Sequence, residues 1–179
     1  MTGVPGLPGA EALRASLRYH FTPTDVPGVF ARHASVQFDP LSPLGCSHDL
    51  MFAARVPGYR VGDWRRHVYQ SRVAYDGWDK QASLVETAGQ PARRIHHRWN
   101  AERWHDGVLA AWPEQTEEVL AQLRERGPLE ALEVAASGGE GGRIGAWEGS
   151  WYGPRLAKRI LRALWHTGRV ATHHRRRGR

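Results

Sequence analysis

Leu156-Ala157-Lys158-Arg159-Ile160-Leu161-Arg162-Ala163-Leu164-Trp165-His166 is the best-patterned stretch of the chain. Leu156, Ile160, Leu161 and Leu164 recur at helical spacing and predict a buried stripe. Arg155, Lys158, Arg159, Arg162 and His166 fall at offsets 0, 3, 4, 7 and 11, a second face of the same helix. Ser150 stands where a helix over 151–166 needs its N-cap, and Gly168 stands behind its end. Arg169-Val170-Ala171-Thr172 then reads as a short strand, and His173 to Arg179 as a basic hairpin tip. Upstream, Pro113 opens another helix. Its Glu114, Glu117 and Glu118 near the start and Arg124 and Arg126 near the end suit the helix dipole. Val119, Leu120 and Leu123 form its inner stripe, and Gly127 stops it. Pro128-Leu129 begins a shorter helix through Leu132, Val134 and Ala135, followed by a flexible Gly-rich loop over 137–142. Helix, short helix, loop, basic helix and basic hairpin is the order of a winged helix, which sets its last helix and wing against DNA. The other reading of the basic face is a solvated helix surface.

The charge supports the first reading. The chain has 179 residues and a formal charge of +7, with a pI near 10.3, which points to a polyanionic partner such as nucleic acid. Only Lys80 and Lys158 are lysines, so an Arg-for-Lys bias from a GC-rich genome is a competing explanation. The distribution is uneven, however: from Trp151 to Arg179 there is no acidic residue and there are nine Arg or Lys. Cys46 is the only cysteine, which excludes a disulfide framework and a cysteine-based zinc site and favours a reducing, cytoplasmic setting. The N-terminus shows no signal-peptide pattern, and no apolar run approaches the length of a membrane span.

In the first half, 11–19 carries Leu13, Leu17 and Tyr19 at partial helical spacing. Thr24 is a candidate N-cap for a second helix holding Pro27, Val29, Phe30 and His33. It leads into Ser35-Val36-Gln37-Phe38-Asp39-Pro40-Leu41. In an extended segment Gln37 and Asp39 project from one side while Phe38 anchors the other, and Pro40 favours the extended form at Asp39. A carboxylate and an amide held together can activate and orient water. An ordinary Asp-Pro turn with a solvated Gln37 fits the same residues. Ser47 could cap a short helix from His48, and Asp63 one through Trp64, Val68 and Tyr69. Asp76-Gly77, inside Tyr75-Asp76-Gly77-Trp78-Asp79-Lys80, suggests a tight turn. The stretch 91–106 reads as a basic, aromatic helix, either phosphate-facing or solvated with its Trp packed inward.

Several chemistries are excluded. His96-His97 and His173-His174 lack the i,i+4 partners and carboxylates of a metal site. There is no phosphate-binding Gly-rich loop ending in Lys-Ser or Lys-Thr, no dinucleotide fingerprint and no Gly-x-Ser-x-Gly elbow.

Taken together, Val36-Gln37-Phe38-Asp39-Pro40-Leu41, Gly45, His48-Asp49-Leu50, Arg55-Val56-Pro57-Gly58-Tyr59 and Asp76-Gly77-Trp78-Asp79-Lys80 resemble the YcaQ/AlkZ family of winged-helix DNA glycosylases. Trp151, Lys158-Arg159, Leu161, Leu164 and Thr167-Gly168-Arg169-Val170-Ala171 resemble the second winged helix of that family. The resemblance implies a mainly α fold with short β-hairpins, built of tandem winged-helix domains. Residues 1–106 would hold the first, with a catalytic Gln-x-Asp motif, and 107–179 the second, ending in its wing. The family continues into a third winged helix and a β-barrel, so an N-terminal fragment or truncated product is expected. The implied function is hydrolysis of the N-glycosidic bond of alkylated purines such as N7-alkylguanine, including unhooking of interstrand crosslinks. Asp39 would stabilise an oxocarbenium-like sugar and activate water held by Gln37; His48, Asp49, Asp76 and Trp78 would support them. Arg155, Lys158, Arg159, Arg162, Arg175, Arg176 and Arg177 would bind DNA. No lysine nucleophile is implied, so the enzyme would be monofunctional, with no metal and no small-molecule cofactor. The partner would be double-stranded DNA with alkylated bases or crosslinks, with no membrane association, in the nucleoid. The alternative is a non-catalytic winged-helix DNA-binding protein.

Overall fold

The computed structural model describes residue 6 and residues 8–39, 44–102, 106–136 and 156–175. These are mainly helical, with a small three-stranded antiparallel sheet. The chain divides into two compact units, one of residues 1–75 and 79–87, the other of residues 76–78 and 88–179.

The first unit opens with α1 (Gly9–Phe21), which has no buried residue. The second helix, α2 (Val26–His33), is capped by Asp25, not Thr24: the Asp25 carboxylate accepts from the Gly28 N–H at 2.7 Å. Val26, Val29 and Phe30 recur on one face and are buried. Ala34 ends the helix in the left-handed region, φ 58°, and turns the chain straight into β1 (Ser35–Gln37). Three further elements follow: α3 (Ser47–Ala53), α4 (Trp64–Tyr69) and β2 (Ala74–Trp78). Then comes β3 (Ala82–Glu86). Cys46, rather than Ser47, is the N-cap of α3. Asp63 stands at the N-cap position of α4, as expected, but its side chain makes no cap hydrogen bond; its carboxylate accepts from the Arg60 N–H at 2.8 Å instead. The expected Asp76-Gly77 turn is instead strand, and the chain reverses at 79–81, where the Asp79 N–H bonds the Gln81 carbonyl. The sheet order is β1-β3-β2, with β1 antiparallel to β3 and Gln37 opposite Ser83. Its core gathers Phe30, Val36, Phe38, Phe52, Trp64, Val68 and Leu84.

The second unit holds α5 (Arg94–Asn100), α6 (Asp106–Ala111), α7 (Pro113–Arg126), α8 (Ala131–Ala136) and α9 (Leu156–His166). As the sequence predicts, Pro113 sits in the first turn of α7 and Gly127 ends it with φ 83°. Val119 and Leu120 pack with Val134, Leu156, Ala157, Ile160 and Leu164 in one core. Two expectations fail here. Residues 169–172 form no strand, and His166 is only 7% exposed, so it leaves the basic face and joins the interior. Its ring packs 4.8 Å from that of Trp78. The expected start of the last helix at 150–155 and the 137–142 loop lie outside the described residues.

Candidate active site

β1 is an edge strand of the sheet. Its burial alternates as the sequence requires: Val36 is buried, Gln37 exposed, Phe38 buried and Asp39 half-buried. Burying Phe38 stabilises the unit by about 2 kcal/mol, and it holds the polar residues on either side of it in register. Pairing runs on past β1, since the Phe38 N–H donates to the Ala82 carbonyl at 2.8 Å. Gln37 Nε2 donates to Gln81 Oε1 at 2.7 Å, which fixes the plane of its amide. Ser35 Oγ donates to Asp79 Oδ2 at 2.7 Å. Sequence reasoning missed Gln81; only the strand register, not any local motif, brings it to Gln37.

Behind Phe38 stands a second layer. The His48 ring stacks on Phe38 at 4.6 Å and meets Trp64 edge-on at 5.4 Å. Burial is the main cause holding the His48 pKa below its ordinary value, helped by the Arg65 charge. The charges of Asp49 and Asp39 and a hydrogen bond at the Asp39 backbone pull the other way. His48 Nε2 lies 3.5 Å from Asp49 Oδ2, while Asp49 Oδ1 accepts from Tyr59 Oη at 2.5 Å and from the Gly62 N–H at 2.9 Å. Burial and the bond to Asp49 push the Tyr59 phenol far up, so it stays a donor. Asp49 therefore ties α3 to the turn before α4, and His48 rides on that anchor. Phe38, His48 and Asp49 thus form one connected layer in the first unit, with Asp39 beside His48, whereas Gln37 is exposed and bonded to Gln81. Cys46, His48 and Asp49 also offer ligand atoms within 4.8 Å of one another. Neither the lone cysteine nor the histidine pairs of the sequence point to this grouping, which α3 and the residue before it bring together.

Asp76 and Trp78 belong to the packing of the second unit. Arg175 grips the Asp76 carboxylate with Nε at 2.8 Å and Nη2 at 2.9 Å, and Trp165 Nε1 donates to the Asp76 carbonyl at 3.0 Å. Arg175 therefore holds an internal carboxylate. Of the other predicted DNA contacts, Lys158 and Arg162 are exposed on α9 and Arg159 is half-buried. Arg155, Arg176 and Arg177 lie outside the described residues. Beside α9, a cavity of about 790 Å³ is walled by Leu123, Leu129, Leu161, Trp165 and Val170, with Glu130, Glu133, His173 and His174 also lining it. No helix among the described residues is long and apolar enough to cross a membrane.

Comparison with known proteins returns no match among curated proteins and none among solved structures. A family model does match: AlkZ-like, described as DNA glycosylase AlkZ-like, over residues 30–179. That span takes in the edge strand with Gln37 and Asp39, the His48–Asp49 layer behind it and the basic face of α9, and the chain belongs to the AlkZ-like DNA glycosylase family.

Proposed function

We propose that the chain is a monofunctional DNA glycosylase that hydrolyses the N-glycosidic bond of alkylated purines, N7-alkylguanine above all, and unhooks interstrand crosslinks. Two winged helices would carry the DNA, the first holding Gln37 and Asp39 and the second the basic face of α9. Alkylation at N7 leaves the purine cationic, so it departs without prior protonation. The developing positive charge on the sugar is what the protein must meet. Asp39 meets it and takes a proton from the attacking water, and Gln37 orients that water. The proton ends on the Asp39 carboxyl, the C1′–N9 bond breaks, and an abasic site remains. The observation that carries this reading is the state of Asp39: half-buried, directly after the buried Phe38 and two residues past the end of β1, where Gln37 is exposed. A carboxylate so placed is accessible to a sugar yet held by a fixed backbone.

The test is base release from DNA containing N7-methylguanine and from crosslinked duplex. Asp39→Asn is expected to reduce release by about 10²–10⁴-fold, the range for a general base. Equal product from both proteins would remove Asp39 from the mechanism. The exposed Lys158 and Arg162 on α9 also suit a non-catalytic DNA binder. Tight binding to undamaged duplex with a steep salt slope, and no base release at all, would favour that reading.

A further inference from the structure

From Thr87 to Ala101 the chain has no acidic residue, yet it carries Arg93, Arg94 and Arg98 with His96 and His97. Two contacts within the second unit fix which way α5 faces. A Cβ on Gly168 would stand 2.4 Å from the His97 ring, so His97 lies against the turn that follows α9. Asn100 is buried, with Nδ2 3.5 Å from the His166 carbonyl. With 97 and 100 inward, helix geometry sends 94, 95, 98 and 99 outward. The exposures agree: Ile95 is 79% and Trp99 47% exposed, and Arg94 and Arg98 are exposed too. Arg94–Arg98 and Ile95–Trp99 are both i,i+4 pairs and run as adjacent rows. The Trp99 ring is braced by the edge of His96 at 6.1 Å.

A cationic row beside an apolar, aromatic row, with no carboxylate in the segment, suits a polyanion that also presents flat apolar faces. Duplex phosphates would engage the arginines and leave the indole idle; an unpaired strand uses both. We propose that the outer face of α5 is a platform for single-stranded DNA, with Trp99 stacking on an unpaired base beside Ile95 and Arg94 and Arg98 contacting the phosphates around it. This goes beyond the glycosylase reading and depends on no step at Asp39.

The experiment measures binding of the full chain to a labelled oligo-dT and to a duplex of the same length across a salt series. Trp99→Ala is expected to weaken oligo-dT binding by about 5- to 100-fold and Trp99→Phe to recover most of it. Arg94→Ala with Arg98→Ala should shrink the salt slope by about 1.4, the value for two single-strand phosphates. All four positions face water, so thermal unfolding of the variants should match wild type. Unchanged oligo-dT binding by Trp99→Ala, or an unchanged salt slope without both arginines, would overturn the proposal. So would a Trp99→Ala chain that binds DNA normally but loses self-association, which would make the face a protein contact. Base release is assayed in parallel on wild type and Asp39→Asn, so failure of either reading appears in its own readout.

Discussion

The Asp76 side chain has no exposure to water, and the Arg175 side chain that grips it is 23% exposed. A carboxylate so buried is tolerable only when paired and hydrogen-bonded. Arg175 supplies a two-nitrogen grip from 99 positions away. Arg175→Ala strips that compensation and is expected to cost about 3 kcal/mol, read as a lower urea midpoint at unchanged m-value. Arg175→Lys should recover only part, because an ammonium cannot match the planar fork. A midpoint equal to wild type for Arg175→Ala would show that the pair contributes nothing net. Nothing local announces this pairing. Asp76-Gly77 carries turn chemistry and Arg175 sits in a basic run, and both residue types commonly stay in water. By contrast Phe38 was legible, because alternation along a strand assigns faces whatever the partner strand is.

At the scale of elements, helices with their own punctuation were readable and elements needing a distant partner were not. The α7 helix carries a Pro at its start, a Gly at its end and graded charge between them, and it forms as expected. Residues 169–172 have strand-like side chains, but strand propensity expresses itself only against a neighbouring strand. Gly168 was legible as a helix stop, though not for its second role. Its φ is 72°, and the face where a Cβ would stand is occupied by His97. Gly168→Ala should destabilise by about 2 kcal/mol or more, combining left-handed strain with overpacking. Adding His97→Ala should return the overpacking part and leave the strain, so the double variant is more stable than the sum of the singles predicts. Thermal unfolding of the four proteins checks it; strict additivity would mean that ring and turn do not meet.

Over the whole molecule, the short motifs between 36 and 80 and between 151 and 171 carry the resemblance, and the family match over residues 30–179 spans them all. The charge pattern sets a further global property. His33, His48, His67 and His97 all have pKa values held below 6.5, and burial is the leading cause for each. His67 shows the chemistry directly: its Nε2 accepts from Arg66 Nε at 3.1 Å, a bond that protonation there would break. The unfolded chain therefore binds more protons than the folded one just below pH 6.5, and stability rises with pH through that window. The contribution is complete above about 6.5 and is lost as pH falls below it. Acidification also adds positive charge to a chain already at +7, which opposes compactness in the same direction. Tm is expected to be lower at pH 5.5 than at pH 7.5, by about 2–4 °C for each kcal/mol lost. His67→Gln, which keeps an acceptor for Arg66, should flatten the slope. A Tm that holds or rises on acidification would show that these imidazoles titrate in the folded protein as they do in water.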